Sequence, residues 1–200
     1  MGVPHQQQTF LFMDLVGFTA LTAERGDDDA ADVALEFFAR SRRLLPEHCG
    51  EEIKTIGDAM MIRCDEPRQA IELAVKICDE LTDSDEFPPV RIGVHTGSAV
   101  CRDGDWYGSA VNVAARLCSA AGGDAVLVSD ATREAAGRVR KVEFGERELH
   151  WLKNVPEPVA ARSAARHECS GRRRPLEKLT KLVGRRSAPA VSLRQSEVIG

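Results

Sequence analysis

Short apolar runs alternate along the chain with longer segments in which apolar residues recur at helical spacing. The run TFLFM (9–13) is apolar throughout and is followed by Asp14. Such a run is typical of a buried strand, and it predicts that Asp14 lies at the edge of a sheet. The segment from 27 to about 46 repeats its apolar residues every three or four positions, with acidic residues first and basic residues later. This order suits the dipole of a long amphipathic helix.

The same kind of pattern continues to about residue 165. It predicts, in order, a hairpin over 51–64, a helix over 66–81, a strand over 90–97, a helix over 107–123, a strand at AVLVS, a capped helix at SDATREAAG, and then strand and loop. The first six elements follow the order strand, helix, strand, strand, helix, strand, which is that of a ferredoxin-like split βαβ unit. We therefore predict an α+β fold in which the sheet is mainly antiparallel and the helices cover one face.

The charged residues divide the chain into an acidic body and a basic tail. Residues 161–200 carry ten basic and three acidic residues, which leaves 17 basic and 28 acidic residues in 1–160. We predict an N-terminal extension over 1–8, one folded domain over 9–165 and a basic tail over 166–200. A solvated, flexible extension is the favoured interpretation of the tail, and contact with nucleic acid or an anionic surface is the alternative.

Composition excludes several classes of protein. With 43% hydrophobic and 29% charged residues, the chain is typical of a globular protein. No apolar run approaches the roughly 18 residues of a membrane span, and the first ten residues lack the features of a signal peptide. We therefore predict no membrane span and a cytoplasmic location. The six cysteines form no C-x-x-C pair, so neither a zinc site nor a disulfide is expected.

Two aspartates are candidates for a metal site. Asp14 ends the first predicted strand and Asp58 lies at the tip of the predicted hairpin, and these strands are neighbours in a split βαβ sheet. Hard oxygen ligands of this kind suit Mg²⁺ or Mn²⁺ better than zinc. Taken alone, an aspartate at a strand end is more often a turn or cap residue. After Gly17, a helix that starts near Thr19 could offer free N–H groups to phosphate oxygens.

Four motifs in this order carry a resemblance to a known family. They are FLFMDLVGFTAL, KTIGDAMM, RIGVHTG and GDWYGSAVNVAARL, and LKNVPEPV follows them at 152–159. Together they resemble the catalytic domain of class III adenylate and guanylate cyclases, from about Thr9 to Val159. The short link between Gly97 and Asp105 resembles the short-arm bacterial subgroup of that family.

The resemblance implies an activity and its metal ions. Members of the family cyclise a nucleoside triphosphate, with the ribose 3′-hydroxyl attacking the α-phosphate and pyrophosphate leaving. It implies that Asp14 and Asp58 hold two divalent cations, Mg²⁺ or Mn²⁺. It further implies that Lys54 contacts the purine ring and that Asp105 accepts a hydrogen bond from the adenine amino group. A donor and an acceptor at these two positions suit ATP, because guanine presents the reverse pattern.

The resemblance also assigns the remaining site residues. Asn112 matches the asparagine that orients the ribose, and Arg116 matches the arginine that stabilises the transition state. Their i, i+4 spacing places both side chains on one helix face. Arg91 corresponds to an arginine that contacts the triphosphate, although an arginine on an edge strand is also an ordinary surface residue. Phe18 and Thr19 complete the predicted substrate-binding residues.

In this family the site forms between two chains, so a homodimer is implied. One chain supplies the metal-binding aspartates, and the other supplies the residues that contact the purine, the ribose and the transition state. We interpret His95 as a buried or hydrogen-bonded residue rather than a catalytic base. Trp106 and Tyr107 are interpreted as packing residues at the dimer interface rather than as a stacking platform.

Two alternative functions remain open from the sequence. The chain could be a cyclase-like module that binds nucleotide without turnover, which the presence of all the catalytic residue types disfavours. It could instead be a guanylate cyclase, which Lys54 and Asp105 disfavour. The favoured prediction is a homodimeric adenylate cyclase that converts ATP to 3′,5′-cyclic AMP and pyrophosphate.

Overall fold

The computed structural model describes residues 6–84 and 86–167. Residues 1–5, 85 and 168–200 lie outside the described residues. Most of the predicted N-terminal extension and almost all of the predicted basic tail therefore fall outside the structural description. The prediction that the tail contacts nucleic acid or an anionic surface falls outside it as well.

The described residues form five α-helices and a nine-stranded sheet. The strands are β1 (Gln6–Leu15), β2 (Gly50–Ile56), β3 (Ala59–Cys64), β4 (Val90–Arg102), β5 (Asp105–Tyr107), β6 (Ala125–Ser129), β7 (Val142–Phe144), β8 (Glu148–His150) and β9 (Val159–Arg166). The helices are α1 (Phe18–Arg25), α2 (Asp27–Leu44), α3 (Pro67–Thr82), α4 (Ser109–Ala120) and α5 (Asp130–Ala136). The predicted hairpin and the predicted helices near residues 27, 66, 107 and 130 are confirmed.

The strand order confirms the predicted split βαβ unit. The main path of the sheet is β2-β3-β1-β4-β6-β9-β7, with β5 paired to β4 and β8 paired to β9. Its first four strands have the order of a ferredoxin-like unit, in which β1 lies between the hairpin strand β3 and the later strand β4. All pairs among the described strands are antiparallel except β4 with β6. The predicted α+β fold class is confirmed.

The two central strands are apolar on both faces, and both faces are covered. Leu11 and Met13 pack with α2 and α3 on one face, whereas Phe10 packs with α4 on the other. A Cβ atom at Gly93 would lie 2.1 Å from the backbone nitrogen of Cys118, so α4 rests directly on β4. The prediction that the helices cover one face is therefore right for α2 and α3 and wrong for α4. The physical reason is that Phe10 and its neighbours also have to be removed from water.

Two strands are longer than the hydrophobic pattern predicted. β1 begins at Gln6 rather than at Thr9, and β4 continues past Gly97 to Arg102. The segment that the sequence suggested to be a polar link instead forms a hairpin between β4 and β5. Its turn contains Asp103 and Gly104, both with positive φ.

No helix in the described parts of the chain combines the length and the apolar character needed to cross a membrane. The cytoplasmic location stays a prediction. The five described cysteines are free, as expected, and Cys64, Cys78 and Cys118 are buried. The sixth, Cys169, lies outside the described residues.

Candidate active site

The structure brings Asp14 and Asp58 together at one edge of the sheet. Asp14 lies near the end of β1, and Asp58 follows Gly57 in the two-residue turn of the β2–β3 hairpin. Because β3 pairs with β1, the turn reaches the end of β1. The Asp58 carboxyl group forms a hydrogen bond with Asp14 and accepts another from the backbone N–H of Leu15. The predicted convergence of the two carboxyl groups is confirmed, whereas their role stays a prediction.

The electrostatics of this pair favour a bound cation. Burial, together with the hydrogen bond and negative charge of Asp14, raises the pKa of Asp58 to about 6. Two carboxyl groups at contact distance either share a proton or need a positive charge between them. An all-oxygen donor set fits Mg²⁺ or Mn²⁺. Among residues 6–84 and 86–167, no group of three or more His, Cys, Asp or Glu side chains is suited to hold a metal ion.

Arg91 lies beside the carboxyl pair. It is directly opposite Asp14 in the β1–β4 register. Its Nε donates to Asp14 Oδ2 at 2.9 Å, and its Nη2 donates to the same oxygen. A third contact joins Nη1 to the carbonyl oxygen of Ser119 at the end of α4, at 3.4 Å. Arg91 therefore places a positive charge at the edge of the site, and its predicted contact with a triphosphate stays a prediction.

The segment after Asp14 turns sharply into α1. Gly17 adopts a left-handed conformation with φ of 82°, and the helix begins at Phe18. The first N–H groups of a helix have no partners within that helix. Phe18 is half-buried against the core and Thr19 is exposed. The predicted helix start is thus confirmed, and the phosphate-binding role of these residues stays a prediction.

Lys54 and Asp105 form an ion pair although they are 51 residues apart. Lys54 Nζ lies 2.5 Å from Asp105 Oδ2, and the backbone N–H of Trp106 donates to Asp105 Oδ1 at 2.8 Å. The hydrogen bond from Lys54 holds the pKa of Asp105 below its usual value. The sequence predicted that these two residues share a ligand, and the structure confirms that they are adjacent.

A bulge in β2 sets the direction of Lys54. Glu52 is paired with Ile62 and Lys54 with Met61, so one extra residue separates the two pairs. Ile62 faces the core of α2 and α3, whereas Met61 faces α4. The bulge therefore moves Lys54 to the α4 face, where Asp105 lies, because successive strand residues point to opposite faces.

Asn112 and Arg116 lie on the outer face of α4. The inner face of the helix buries Val113 and Leu117, and both predicted site residues are exposed. Within the part of the chain that the structure describes, neither side chain has a hydrogen-bond or ion-pair partner. Their predicted positions on one helix face are confirmed by this arrangement.

The predicted site residues fall into separate groups within one chain. The first contains Asp14, Asp58 and Arg91, and the second contains the Lys54–Asp105 pair. Asn112 and Arg116 form the third group, on α4. No hydrogen bond or ion pair among the described residues joins one group to another. The predicted ligand-binding residues of a single chain therefore do not form one connected site.

His95 is a hydrogen-bonded structural residue rather than a candidate catalytic base. Its Nδ1 is 2.8 Å from Ser129 Oγ, which caps α5. Burial lowers the pKa of His95 to about 4, so the ring is neutral at pH 7. The interpretation of His95 as a hydrogen-bonded residue is confirmed. Trp106 is a buried packing residue and Tyr107 is exposed, while their predicted position at a dimer interface stays a prediction.

Sequence reasoning missed two features near Asp105. One is strand β5 itself, which the dipeptide Asp103-Gly104 could have indicated, because Asp-Gly is a common hairpin turn. The other is Arg63 of β3, whose guanidinium carbon lies 5.4 Å from the centroid of the Trp106 ring. No motif in the sequence pointed to Arg63.

Known proteins match this chain over the region that contains the predicted site residues. Residues 3–157 match the family model described as the adenylate and guanylate cyclase catalytic domain. A pH-sensitive adenylate cyclase of Mycobacterium tuberculosis is 40% identical over 132 residues, which are 66% of this chain and 33% of that protein. An adenylate cyclase of Streptomyces coelicolor is 34% identical over 135 residues, which are 68% of this chain and 35% of that protein. The chain thus spans about a third of the length of these curated relatives.

Solved structures share the fold. The adenylyl cyclase CyaB from P. aeruginosa has a TM-score of 0.72 at 19% identity, covering 82% of this chain and 96% of that one. An adenylate/guanylate cyclase/hydrolase from Silicibacter pomeroyi has a TM-score of 0.70 at 26% identity, covering 82% of this chain and 99% of that one. These matches agree with the resemblance carried by the four motifs. The chain belongs to the adenylate and guanylate cyclase catalytic domain family.

Proposed function

We propose that the chain is an adenylate cyclase that converts ATP to 3′,5′-cyclic AMP and pyrophosphate. The observation that carries the choice of ATP is the ion pair of Lys54 with Asp105. Adenine presents an acceptor at N1 and a donor at N6, and this pair offers the complementary donor and acceptor. The two curated relatives compared above are named adenylate cyclases, which supports the same choice.

Asp14 and Asp58 would hold the two divalent cations of the reaction. The raised pKa of Asp58 and the all-oxygen donor set support this role. Such ions stabilise negative charge on the attacking and leaving oxygens of a phosphoryl transfer. Arg91, already beside Asp14, would contact the triphosphate, and the N-terminus of α1 at Phe18 and Thr19 would receive phosphate oxygens.

The remaining residues act on the reacting end of the nucleotide. Asn112 would orient the ribose so that its 3′-oxygen faces the α-phosphorus. The 3′-hydroxyl loses its proton to solvent, its oxygen forms a bond with the α-phosphorus, the bond from the α-phosphorus to the bridging oxygen breaks, and pyrophosphate leaves. Arg116 would stabilise the charge that builds on the α-phosphate oxygens during this exchange. Its exposed guanidinium has no partner among the described residues, which suits a group that awaits a ligand.

The complete site would form between two copies of the chain. Each copy contributes the aspartates and Arg91 to one site, and Lys54, Asp105, Asn112 and Arg116 to the other. The separation of these groups within a single chain supports this assignment. A homodimer of this kind would carry two sites.

The direct test is an assay of purified protein with Mg²⁺ or Mn²⁺ and either ATP or GTP. Cyclic AMP and pyrophosphate are the expected products, at equal amounts, and Asp14→Asn should abolish them. Asp28→Asn, in the exposed first turn of α2, is the matched control and should leave them unchanged. Cyclic GMP as the main product would support the guanylate cyclase alternative. Nucleotide binding without any cyclic product would support the binding module.

A further inference from the structure

The carboxylate of Asp105 is oriented by Lys54, by the backbone N–H of Trp106 and by the side chain of Tyr107, which also belongs to β5. Lys54 binds Oδ2, and the backbone N–H of Trp106 binds Oδ1. The second bond lies within β5 itself, so the position of the carboxylate relative to Lys54 depends on where the backbone of β5 lies. Within the described residues β5 pairs with β4 alone, and it is three residues long. A short strand with one neighbour needs another anchor to hold its backbone in place.

The ring of Trp106 supplies that anchor. Trp106 is buried, and its ring meets Phe10 edge-on at 5.7 Å between centroids. On another side of the ring, the guanidinium carbon of Arg63 lies 5.4 Å from the ring centroid. Phe10 and Arg63 are directly opposite each other in the β1–β3 register, so they form one platform on the α4 face of the sheet.

Arg63 is itself held firmly. Its Nε donates to Glu51 at 2.8 Å, and its Nη1 donates to Gln8 and to Asp65, both at 2.6 Å. Its side chain is only 18% exposed. A guanidinium fixed by three partners offers a rigid surface to an indole, because a planar fork loses little freedom on binding.

We infer that Arg63 is a positioning residue for purine selection, which acts through the ring of Trp106 on the carboxylate of Asp105. The inference rests on the proposed role of Lys54 and Asp105 in reading the purine. Without Arg63 the indole loses one wall, β5 shifts, and the carboxylate of Asp105, which moves with Trp106, turns away from Lys54 and from the purine. A carboxylate that turns away cannot accept a hydrogen bond from the adenine amino group, so the preference for adenine falls.

The test compares Arg63→Met with Arg42→Met as a matched control. Arg42 also combines an ion pair, with Glu52, and a guanidinium over an aromatic ring, that of Phe38 at 5.7 Å. It lies on α2, on the opposite face of the sheet from Trp106. Arg63→Lys is a second variant, which keeps the positive charge and a donor for Gln8 while losing the planar fork.

Binding is measured by calorimetry with 3′-deoxy-ATP and 3′-deoxy-GTP, which lack the attacking hydroxyl and so bind without turnover. Arg63→Met should lower the affinity ratio of the adenine to the guanine analogue by about tenfold, mainly through weaker adenine binding, since the adenine amino group loses its hydrogen-bond acceptor. Arg63→Lys should lie between Arg63→Met and the parent. Arg42→Met should leave the ratio unchanged.

Trp106 provides a second readout that needs no nucleotide. The sequence has two tryptophans, and Trp151 is 78% exposed, so Trp151→Phe isolates the emission of Trp106. In that background Arg63→Met should shift the emission to the red and increase quenching by acrylamide, whereas Arg42→Met should do neither.

The outcomes separate this inference from the proposed function. An unchanged affinity ratio in Arg63→Met, with thermal unfolding that shows a folded protein, would overturn the inference whether or not the emission shifts. An unchanged Trp106 emission would overturn it as well. A parent protein that binds the adenine analogue preferentially but forms no cyclic AMP would contradict the proposed function and leave the inference intact.

Discussion

The carboxyl pair and the outer face of α4 each carry two predicted site residues, yet these residues have opposite surroundings. Asp14 and Asp58 are half-buried, touch each other, and are bound by Arg91 and by the backbone of Leu15. Asn112 and Arg116 are exposed and have no side-chain partner in the described part of the chain. The side chains of the first region contact each other and their neighbours within one chain, whereas those of the second region are exposed to solvent.

This difference indicates what each region needs in order to act. Like charges held together by the fold gain most from a cation, because burial has already removed part of their hydration. A guanidinium in water gains little until a ligand or a second chain excludes that water. The comparison therefore predicts that substitutions in the two regions affect different steps and can be complemented separately.

The largest expected effect comes from the carboxyl pair. Asp14→Ala should reduce turnover at least about 10³-fold, because loss of metal binding removes several kcal/mol of charge stabilisation. Asp58→Ala should do the same. Mn²⁺ binding without nucleotide, followed by electron paramagnetic resonance, should weaken in both variants and remain unchanged in Arg116→Ala. Normal Mn²⁺ affinity in Asp14→Ala would contradict the proposed role of the carboxyl pair in metal binding.

A smaller effect is expected when the purine-reading pair is reversed. The double substitution Lys54→Glu with Asp105→Lys keeps an ion pair but exchanges donor and acceptor. The ratio of kcat/KM for ATP to that for GTP should fall by roughly 10²-fold, since both contacts then oppose adenine. The single Lys54→Glu variant, which leaves two carboxylates facing each other, is the control for loss of the pair. An unchanged ratio in the double variant would contradict the assignment of this pair.

The smallest effect concerns the strand that lies beneath α4. His95 has a pKa of about 4 in the folded protein, because burial disfavours the charged ring. The unfolded chain takes up this proton near pH 6.5. Protonation therefore stabilises the unfolded state relative to the folded state as the pH falls from 6.5 towards 4. The free energy of unfolding should drop by about 2 kcal/mol between pH 7 and pH 5 from this residue.

Urea titrations at the two pH values measure that drop. His95→Gln cannot take up the proton and keeps a partner for Ser129, so its stability should change less between pH 7 and pH 5 than that of the parent. An equal change in both proteins would contradict a lowered pKa of His95 in the folded protein.

Much of the fold followed from periodicity, because α2 and α3 each bury one regular stripe of apolar residues. The turn at Gly57 and Asp58, the helix over 66–81 and the strand order around β1 could be predicted in this way. The position of α4 could not, since an apolar run such as that of β1 reads the same whether one face or both faces are covered. The length of β4 was missed because Gly97 was interpreted as the end of the strand, although SAVCR continues it to Arg102.

The contacts of the site depend on details that a sequence pattern does not carry. Lys54 reaches Asp105 because of a bulge in β2, and one residue more or less would turn it to the other face. Arg91 meets Asp14 because of the β1–β4 register, which no local motif specifies. The identities of the site residues and the convergence of Asp14 with Asp58 were predicted from the sequence, whereas the contact of Arg91 with Asp14 became visible only in three dimensions.

The central claim, a site shared between two chains, is tested most directly by mixing inactive variants. Asp14→Ala and Arg116→Ala damage different halves of the site, so a heterodimer of the two contains one intact site and one site with both defects. After dissociation and random reassociation of equal amounts, half of the dimers are heterodimers, each with one of its two sites intact.

Activity in that mixture should therefore recover to about a quarter of the parent level, as random pairing and the closed two-fold symmetry of a dimer require. Asp14→Ala mixed with Asp58→Ala is the matched control, and it should recover nothing because both defects lie in the same half. Recovery in the first mixture alone is the predicted result. Absence of recovery, in a mixture where heterodimers are shown by mass spectrometry, would contradict the account.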